Sequence, residues 1–470
     1  MTGDKLQREG IVDAINDFVE NFQRTGFDDI PSAARESVKK ELLDSLAAAL
    51  GGSTRQGIQE LVDLTGEWGG KEQSTIINFG RKCPAPDAAL VNGTMIHALD
   101  YDDGHPVAQV HIGCVAVATC FAIAERQGGI DGSEFITTLA LGEDFLARLG
   151  LASRPNASLI KSGWHPTPLC GYLGAAAMAA RLMKLDSKKM LNALGIAYHQ
   201  CAGNSQAVND GALTKRLGPG LASRGGITSA LMAERGITGA RDVLEGEFGF
   251  FKQYHDGDYS RQILVADLGK RFEGMNLGFK PYPNCGFSHA YIDAVLNLRK
   301  KYQILPDKVQ EIIAFCGDQA YSICNPLEIK REPRNPVDAQ FSLPWAIAVA
   351  LVNGKVTVDD FTENAIQKEN ILTISRKVTG ILEPSLSRHG VGPAKITVIL
   401  KNGESYTEEV EHCLGSVERP MTFEDCAAKF RECAALSRKK LSADTIERVI
   451  DMINHLEKLK DAISIIRLLG

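Results

Sequence analysis

The sequence predicts a mainly α-helical protein in which a smaller α+β domain is inserted into a large helical one. Three observations carry that reading. Helical periodicity fills the first half, short β-rich segments appear only beyond residue 265, and the helical pattern returns towards residue 470. At 470 residues the chain is too long for one ordinary core, and chains of this size divide into about two or three domains. Hydrophobic residues make up 44% and charged residues 23%, a globular rather than a disordered balance.

Residues 11–24 place Ile11, Ile15, Phe18, Val19 and Phe22 three or four positions apart, one face of an amphipathic helix. Pro31 then opens PSAARESVKKELLDSLAAALGGS, whose apolar positions run through Leu46 and Leu50 until the Gly51-Gly52 pair stops it. The same pattern recurs at 85–98, 114–127, 133–150, 170–183 and 187–201. Stripes of small residues such as GYLGAAAMAARLM let helices approach closely, which predicts a packed all-α core. Beyond 265, VQEIIAFC (309–316) and KITVIL (395–400) read as strands, and Asn402-Gly403 followed by SYTEEV (405–410) signals a hairpin. Helices at 286–301 and 341–353 lie between these strands. After 420, TFEDCAAKFRECAAL and SADTIERVIDMINHLEKL are helical again, with Ser442 as a candidate N-cap. The expected division is a helical domain from 1–265 and 411–470 and an α+β lid domain at 266–410. Clefts between such domains favour ligands.

Composition excludes several functions. A net charge of -6 gives no global reason to bind nucleic acid or an acidic membrane. No apolar run reaches the roughly 20 residues that cross a bilayer; the longest candidate, 114–124, is short and carries Thr119 and Cys120. The opening MTGDKLQREG has no signal-peptide apolar region. The eleven cysteines are scattered and form no CxxC pair, so a zinc or thioredoxin-type site is not expected. Free buried thiols in a reducing cytoplasm are expected instead.

Four polar segments interrupt this apolar background. The densest is HALDYDDGHPVAQVHIG at 97–113, with Asp100, Asp102, Asp103, His97, His105 and His111 between two core-type helices. Loops held by a rigid scaffold concentrate catalytic groups, and the plainer alternative is a solvated turn with capping aspartates. Its Asp and His residues are metal ligands in kind, but their spacing matches no HExxH-like helical pair. SGWHPT at 162–167 sets His165 between Trp164 and Pro166, where a core histidine is the plain alternative. NDGALTKRLGPG at 209–220 sets Lys215 and Arg216 between glycines before a small-residue helix. A helix start with adjacent cations can cradle a carboxylate or phosphate; an exposed surface turn is the alternative. GFKPYPNCGFSH at 278–289 fixes Lys280 between prolines at the start of the second domain.

Taken in this order, these segments resemble the MmgE/PrpD family, which contains 2-methylcitrate dehydratases, cis-aconitate decarboxylases and iminodisuccinate epimerases. The resemblance extends over nearly the whole chain. It includes HALDYDD, GWHPT, TKRLGPGLASRGG with ALMAERGITG, VLEGEFGF, FKPYPNCGFSH, DAQFSLPWAIAVAL (338–351) and RPMTFEDCAAKF. It implies a helical domain from both chain ends with an α+β lid, a homodimer, and no cofactor. Matching active-site positions fall on Asp100, His111, His165, Lys215 and Lys280. Gly104 stands where some members carry a hydroxyl or aromatic side chain, and Cys285 and Gly286 lie in a variable segment.

The shared chemistry is the making or discharging of negative charge on a carbon beside a carboxylate. Cations must sit where that charge develops, and Lys215 and Lys280 supply them, while Arg216 binds substrate carboxylates. His111 is the expected proton carrier, Asp100 its orienting or charging partner, and His165 a second acid. Cys285 and His289 are expected at the substrate, and no metal is expected. The reading is a lyase on a small di- or tricarboxylate, dehydrating or decarboxylating it. The alternatives are an epimerase or isomerase of a related acid, and a non-catalytic binding protein that retains the fold.

Overall fold

The computed structural model describes residues 12–153, 163–388 and 390–470. Ile11 and Ser162, which the sequence assigns to a helix and to the SGWHPT turn, lie outside them, as does MTGDKLQREG. The architecture is mainly α with a smaller α+β portion. No helix among the described residues is long and apolar enough to cross a membrane.

Helices dominate because small residues remove the steric bar to close packing. The helix Thr214–Glu234 packs against Pro166–Leu182, Ala85–Ile96 and Ser187–Tyr198. A Cβ on Gly226 would stand 2.6 Å from the Ala176 nitrogen, and one on Gly220 would stand 2.2 Å from the Leu90 carbonyl oxygen. Larger side chains would force these helices apart, so the glycine-rich TKRLGPGLASRGG determines the interhelical distance. Near the other end of the chain, Phe423–Leu436 lies on Ser32–Gly52, with Thr422 and Asp425 forming a capping box. Ser442 caps the following helix Ala443–Asn454 by accepting from the Thr445 amide.

The strands are β1 (Ser74–Ile76), β2 (Arg81–Cys83), β3 (Val309–Cys316), β4 (Val378–Leu382), β5 (Ala394–Leu400) and β6 (Ser405–Val410). The first two form a small antiparallel pair that the sequence reading did not contain. The others form one sheet in the order β4-β3-β5-β6. The expected β5–β6 hairpin is present, turning at Gly403 with φ +89°, a conformation glycine adopts without strain. Strand β4 was not anticipated and pairs in parallel with β3. The helices His289–Tyr302 and Leu343–Asn353 belong to this region, with the shorter Asp318–Ser322, Leu327–Arg331, Pro336–Gln340 and Glu369–Ser375.

Two hydrophobic clusters result. One runs from Ala14 to Phe279, takes in Val358, and resumes from Met421 to Leu469. The other runs from Cys285 to Cys413. All eleven cysteines are free and buried.

Candidate active site

The polar loop after the helix Ala85–Ile96 is not solvated. Asp100, Asp102, Asp103 and His105 are each at most 4% exposed. Asp100 follows a short 3-10 turn, His97–Leu99, and adopts a left-handed backbone with φ +51°, which is uncommon for a side chain other than glycine. That turn directs its carboxylate at two ammonium groups. Lys280 Nζ donates to Asp100 Oδ2 at 2.9 Å and to its carbonyl at 2.8 Å, and Lys215 Nζ donates to Oδ1. Burial alone would raise the Asp100 carboxyl, but Lys215 and Lys280 outweigh it and hold it well below the usual range. Burial opposes the charge on Lys280 as well, yet Asp100 and then Asp102 leave its pKa raised. Both partners therefore stay charged.

His111 takes its orientation from neighbours in the same loop to which the sequence assigns no role. Its Nδ1 lies 2.7 Å from the Asp103 carbonyl, and a carbonyl only accepts, so Nδ1 carries the proton and Nε2 keeps the lone pair. Asp102, not Asp100, is the carboxylate beside it, with Oδ2 3.5 Å from Nδ1. The same oxygen lies 2.8 Å from His97 Nδ1, and the His97 ring stands edge-on to His111 at 4.7 Å between centroids. The Asp103 side chain accepts from the Ile112 and Gly113 amides at 3.1 and 2.9 Å, fixing the start of the helix that follows His111. Burial, then Asp102, pushes Asp103 up to about 8. The His111 amide donates to Thr167 Oγ1 at 3.0 Å, which joins this loop to the His165 segment.

These groups face a cavity of about 360 Å³ lined by residues from both hydrophobic clusters. His165, Lys215, Lys280, Cys285 and His289 line it together with Asp100 and His111, as do His105 and Lys330. Three lysines thus face one carboxylate. Lys330, which no sequence signal marks, donates to the Phe341 carbonyl at 2.8 Å, and burial lowers its pKa. Burial, joined by Lys280 or Lys215 and at His111 outweighing the opposite pull of Asp102, also keeps the imidazoles neutral. His111 and His289 are drawn down to about 3 and His165 well below its ordinary value. His105 is drawn down to about 4, by burial.

Arg216 is not in this cavity. It lies beside Lys215 in the helix Thr214–Glu234, and one residue of helix turns a side chain by about 100°. Its Nη1 donates to the Gln56 carbonyl at 3.0 Å, and it lines a separate cavity. Lys429, another residue that went unselected, ties the site to Phe423–Leu436. It donates to Asp44 Oδ1 at 2.6 Å, to the Lys280 carbonyl at 3.0 Å, and to the Tyr101 carbonyl. Gly104 lines the cavity beside His111, and a Cβ there would lie 3.8 Å from His111 Nδ1, an ordinary contact. The glycine leaves room that a side chain would fill.

Two residue sets could offer ligand atoms within 4.8 Å of one another: His97, Asp100 and His111, and His97, Asp102 and Cys114. In the first, Asp100 is already shared by two ammonium groups. In the second, burial pushes the Cys114 thiol well up, so it stays protonated. The charge of the first set, two ammonium groups against one carboxylate, favours an anion over a cation.

A cavity walled by two cores, with three ammonium groups against one carboxylate and neutral imidazoles at its wall, has the charge to receive a small anion. The chain belongs to the MmgE/PrpD family: the family's N-terminal domain matches residues 14–262 and its C-terminal domain residues 282–455. Its relatives include a cis-aconitate decarboxylase from Aspergillus terreus, 26% identical over 100% of this chain and 98% of the relative. The human cis-aconitate decarboxylase is 29% identical over 90% of this chain and 87% of the relative. A 2-methylcitrate dehydratase from Escherichia coli (strain K12) is 23% identical over 87% of this chain and 86% of the relative.

Proposed function

We propose that this protein is a lyase acting on a small tricarboxylate of the cis-aconitate type, releasing CO2 by proton transfer beside a retained carboxylate. The observation that carries the reading is the charge of the cavity: Lys215, Lys280 and Lys330 against Asp100 alone, around neutral imidazoles. Decarboxylation is favoured over dehydration because the decarboxylases match at 26–29% identity and the dehydratase at 23%.

The lysines hold the substrate carboxylates in a partly dry cleft. As the carbon–carbon bond to the departing carboxylate breaks, its electron pair moves into the remaining unsaturated carboxylate framework, and CO2 leaves. Lys280 and Lys215 stabilise that charge where it develops. His111 returns a proton to carbon and is itself reprotonated from water. Among these protein groups its imidazole is neutral, so the proton must arrive with the substrate. Bound carboxylates offset the lysines and raise the His111 pKa, coupling protonation to binding. His165 is a second acid and would protonate a leaving hydroxide if the bound acid carried one. Cys285 and His289 shape the floor, and the α+β unit at 266–410 acts as the lid that brings Lys280 and Lys330 over the substrate. A homodimer and independence from any cofactor complete the reading.

The test is incubation with cis-aconitate, and separately with 2-methylcitrate, followed by proton NMR and CO2 detection. CO2 release from cis-aconitate is expected. Loss of water from 2-methylcitrate without CO2 release from cis-aconitate would reassign the chain as a dehydratase. α-Carbon deuterium exchange with loss of neither would sink the lyase reading in favour of an epimerase.

A further inference from the structure

Behind one wall of the lysine-lined cavity lies a second cavity, of about 640 Å³. The two share their partition. Leu99 faces the second cavity and Asp100 the first, and Arg216 faces the second and Lys215 the first. Gln340 seals the boundary: its Nε2 donates to the Leu99 carbonyl at 2.7 Å, and its own carbonyl accepts from the Cys285 amide at 2.9 Å.

Two guanidinium groups face this second space, those of Arg55 and Arg216. Arg216 is only 7% exposed, and among the described residues its one hydrogen-bond partner is the Gln56 carbonyl, with Asp100 acting on it only through space. Arg55 Nε reaches only the Gly51 carbonyl, at 3.5 Å. Among the described residues neither enters an ion pair. The one acid in the lining, Glu363, is exposed at the rim. Each guanidinium carries several donors, and a buried charge without a counter-charge is costly. Burial, followed by the field of Arg55, lowers Arg216 to about 10. Two cations that pay a desolvation cost, repel each other and open onto the same cavity are arranged for an anion from outside the chain.

We propose that this cavity binds a small dianion, of phosphate or carboxylate chemistry, between Arg55 and Arg216, as a site separate from the substrate cavity. The site does not depend on which reaction the substrate cavity performs. Its position gives it contact with the stretch 211–216, the segment that also carries Lys215.

Calorimetric titration of the full chain with inorganic phosphate, and separately with tricarballylate, tests the site. Three proteins are compared: the unaltered chain, the double variant Arg55→Met/Arg216→Met, and Lys280→Met. At least one probe is expected to bind in a manner that the double variant weakens tenfold or more and Lys280→Met leaves unchanged. Phosphate alone behaving so identifies a phosphate-type ligand, and tricarballylate alone a carboxylate. Should the double variant fail to fold by circular dichroism, Arg55→Met, at a half-buried position, is expected to weaken binding at least threefold. Binding that responds only to Lys280→Met, or no binding of either probe, overturns the proposal. A double variant that binds both probes normally but changes oligomeric state by sedimentation also overturns it, since the arginines would then serve a carboxylate of a second copy.

Discussion

Replacing Lys280 with Met separates charge from bulk at the centre of the site. Lys280 is 9% exposed and gives two hydrogen bonds to Asp100, one to the carboxylate and one to the main-chain carbonyl. Met fills much of the same space with an apolar chain, so the loss is the cation and its donors. Asp100 keeps Lys215, so the variant does not leave a wholly unpaired buried carboxylate, which costs about 3–5 kcal/mol. The stability cost is closer to that of an unsatisfied buried polar group, about 1–3 kcal/mol. The catalytic cost is larger. One preorganised charge-stabilising group is worth about 10²–10³ in kcat, or about 3–4 kcal/mol, and KM rises because a substrate carboxylate loses its partner. Initial rates of CO2 release and urea unfolding at the same pH separate the two effects. A kcat within about threefold of the unaltered protein, alongside a clear stability loss, would refute the reasoning and reduce Lys280 to a structural partner of Asp100.

Lys429→Met leaves Asp44, which is 0% exposed, without its ammonium partner and removes the link to the Lys280 and Tyr101 carbonyls; urea unfolding should register a loss of about 3–5 kcal/mol, and a loss below 1 kcal/mol would show that the site tolerates the missing link. Stability should also fall as pH rises from 7.5 to 8.5. Asp103 keeps its proton in the folded chain up to about 8, against an ordinary value of 3.8, so the folded state holds the extra proton in this window. Asp103 alone contributes about 0.7 kcal/mol of that decline. The lowered histidines work in the opposite sense, but by pH 7.5 they are nearly all neutral in the unfolded chain as well, so they add little over this range. Unfolding free energies that stay level or increase over this range contradict the protonated Asp103.

The helices were legible because periodicity and caps are local. Ser442 caps where its spacing from the apolar run places it, and Gly220 and Gly226 of TKRLGPGLASRGG occur where two backbones touch. The four polar segments were also legible as interruptions of an apolar background, and the cavity draws on all four. What escaped depends on direction and depth, which a linear pattern does not carry. Lys215 and Arg216 are neighbours in sequence, yet the helix sends them into different cavities. Asp100, Asp102 and Asp103 look alike in HALDYDD, but one binds lysines, one lies beside two histidines and one keeps a proton. Lys330 and Lys429 sit in ordinary helical surroundings and acquire meaning only through contacts distant in sequence, with Phe341 and with Asp44. Strand β4 is short and half exposed, with a central glycine, so its parallel pairing with β3 left no alternating signature.

The central claim is that His111 moves a proton to carbon beside a carboxylate held by lysines. Turnover of cis-aconitate in heavy water, read by NMR of the product for the unaltered protein and for His111→Ala, tests it most directly. The account predicts one deuterium at a single carbon of the decarboxylated product, and no product from a folded His111→Ala variant. A folded His111→Ala protein that releases CO2 and incorporates deuterium at the unaltered rate would contradict it.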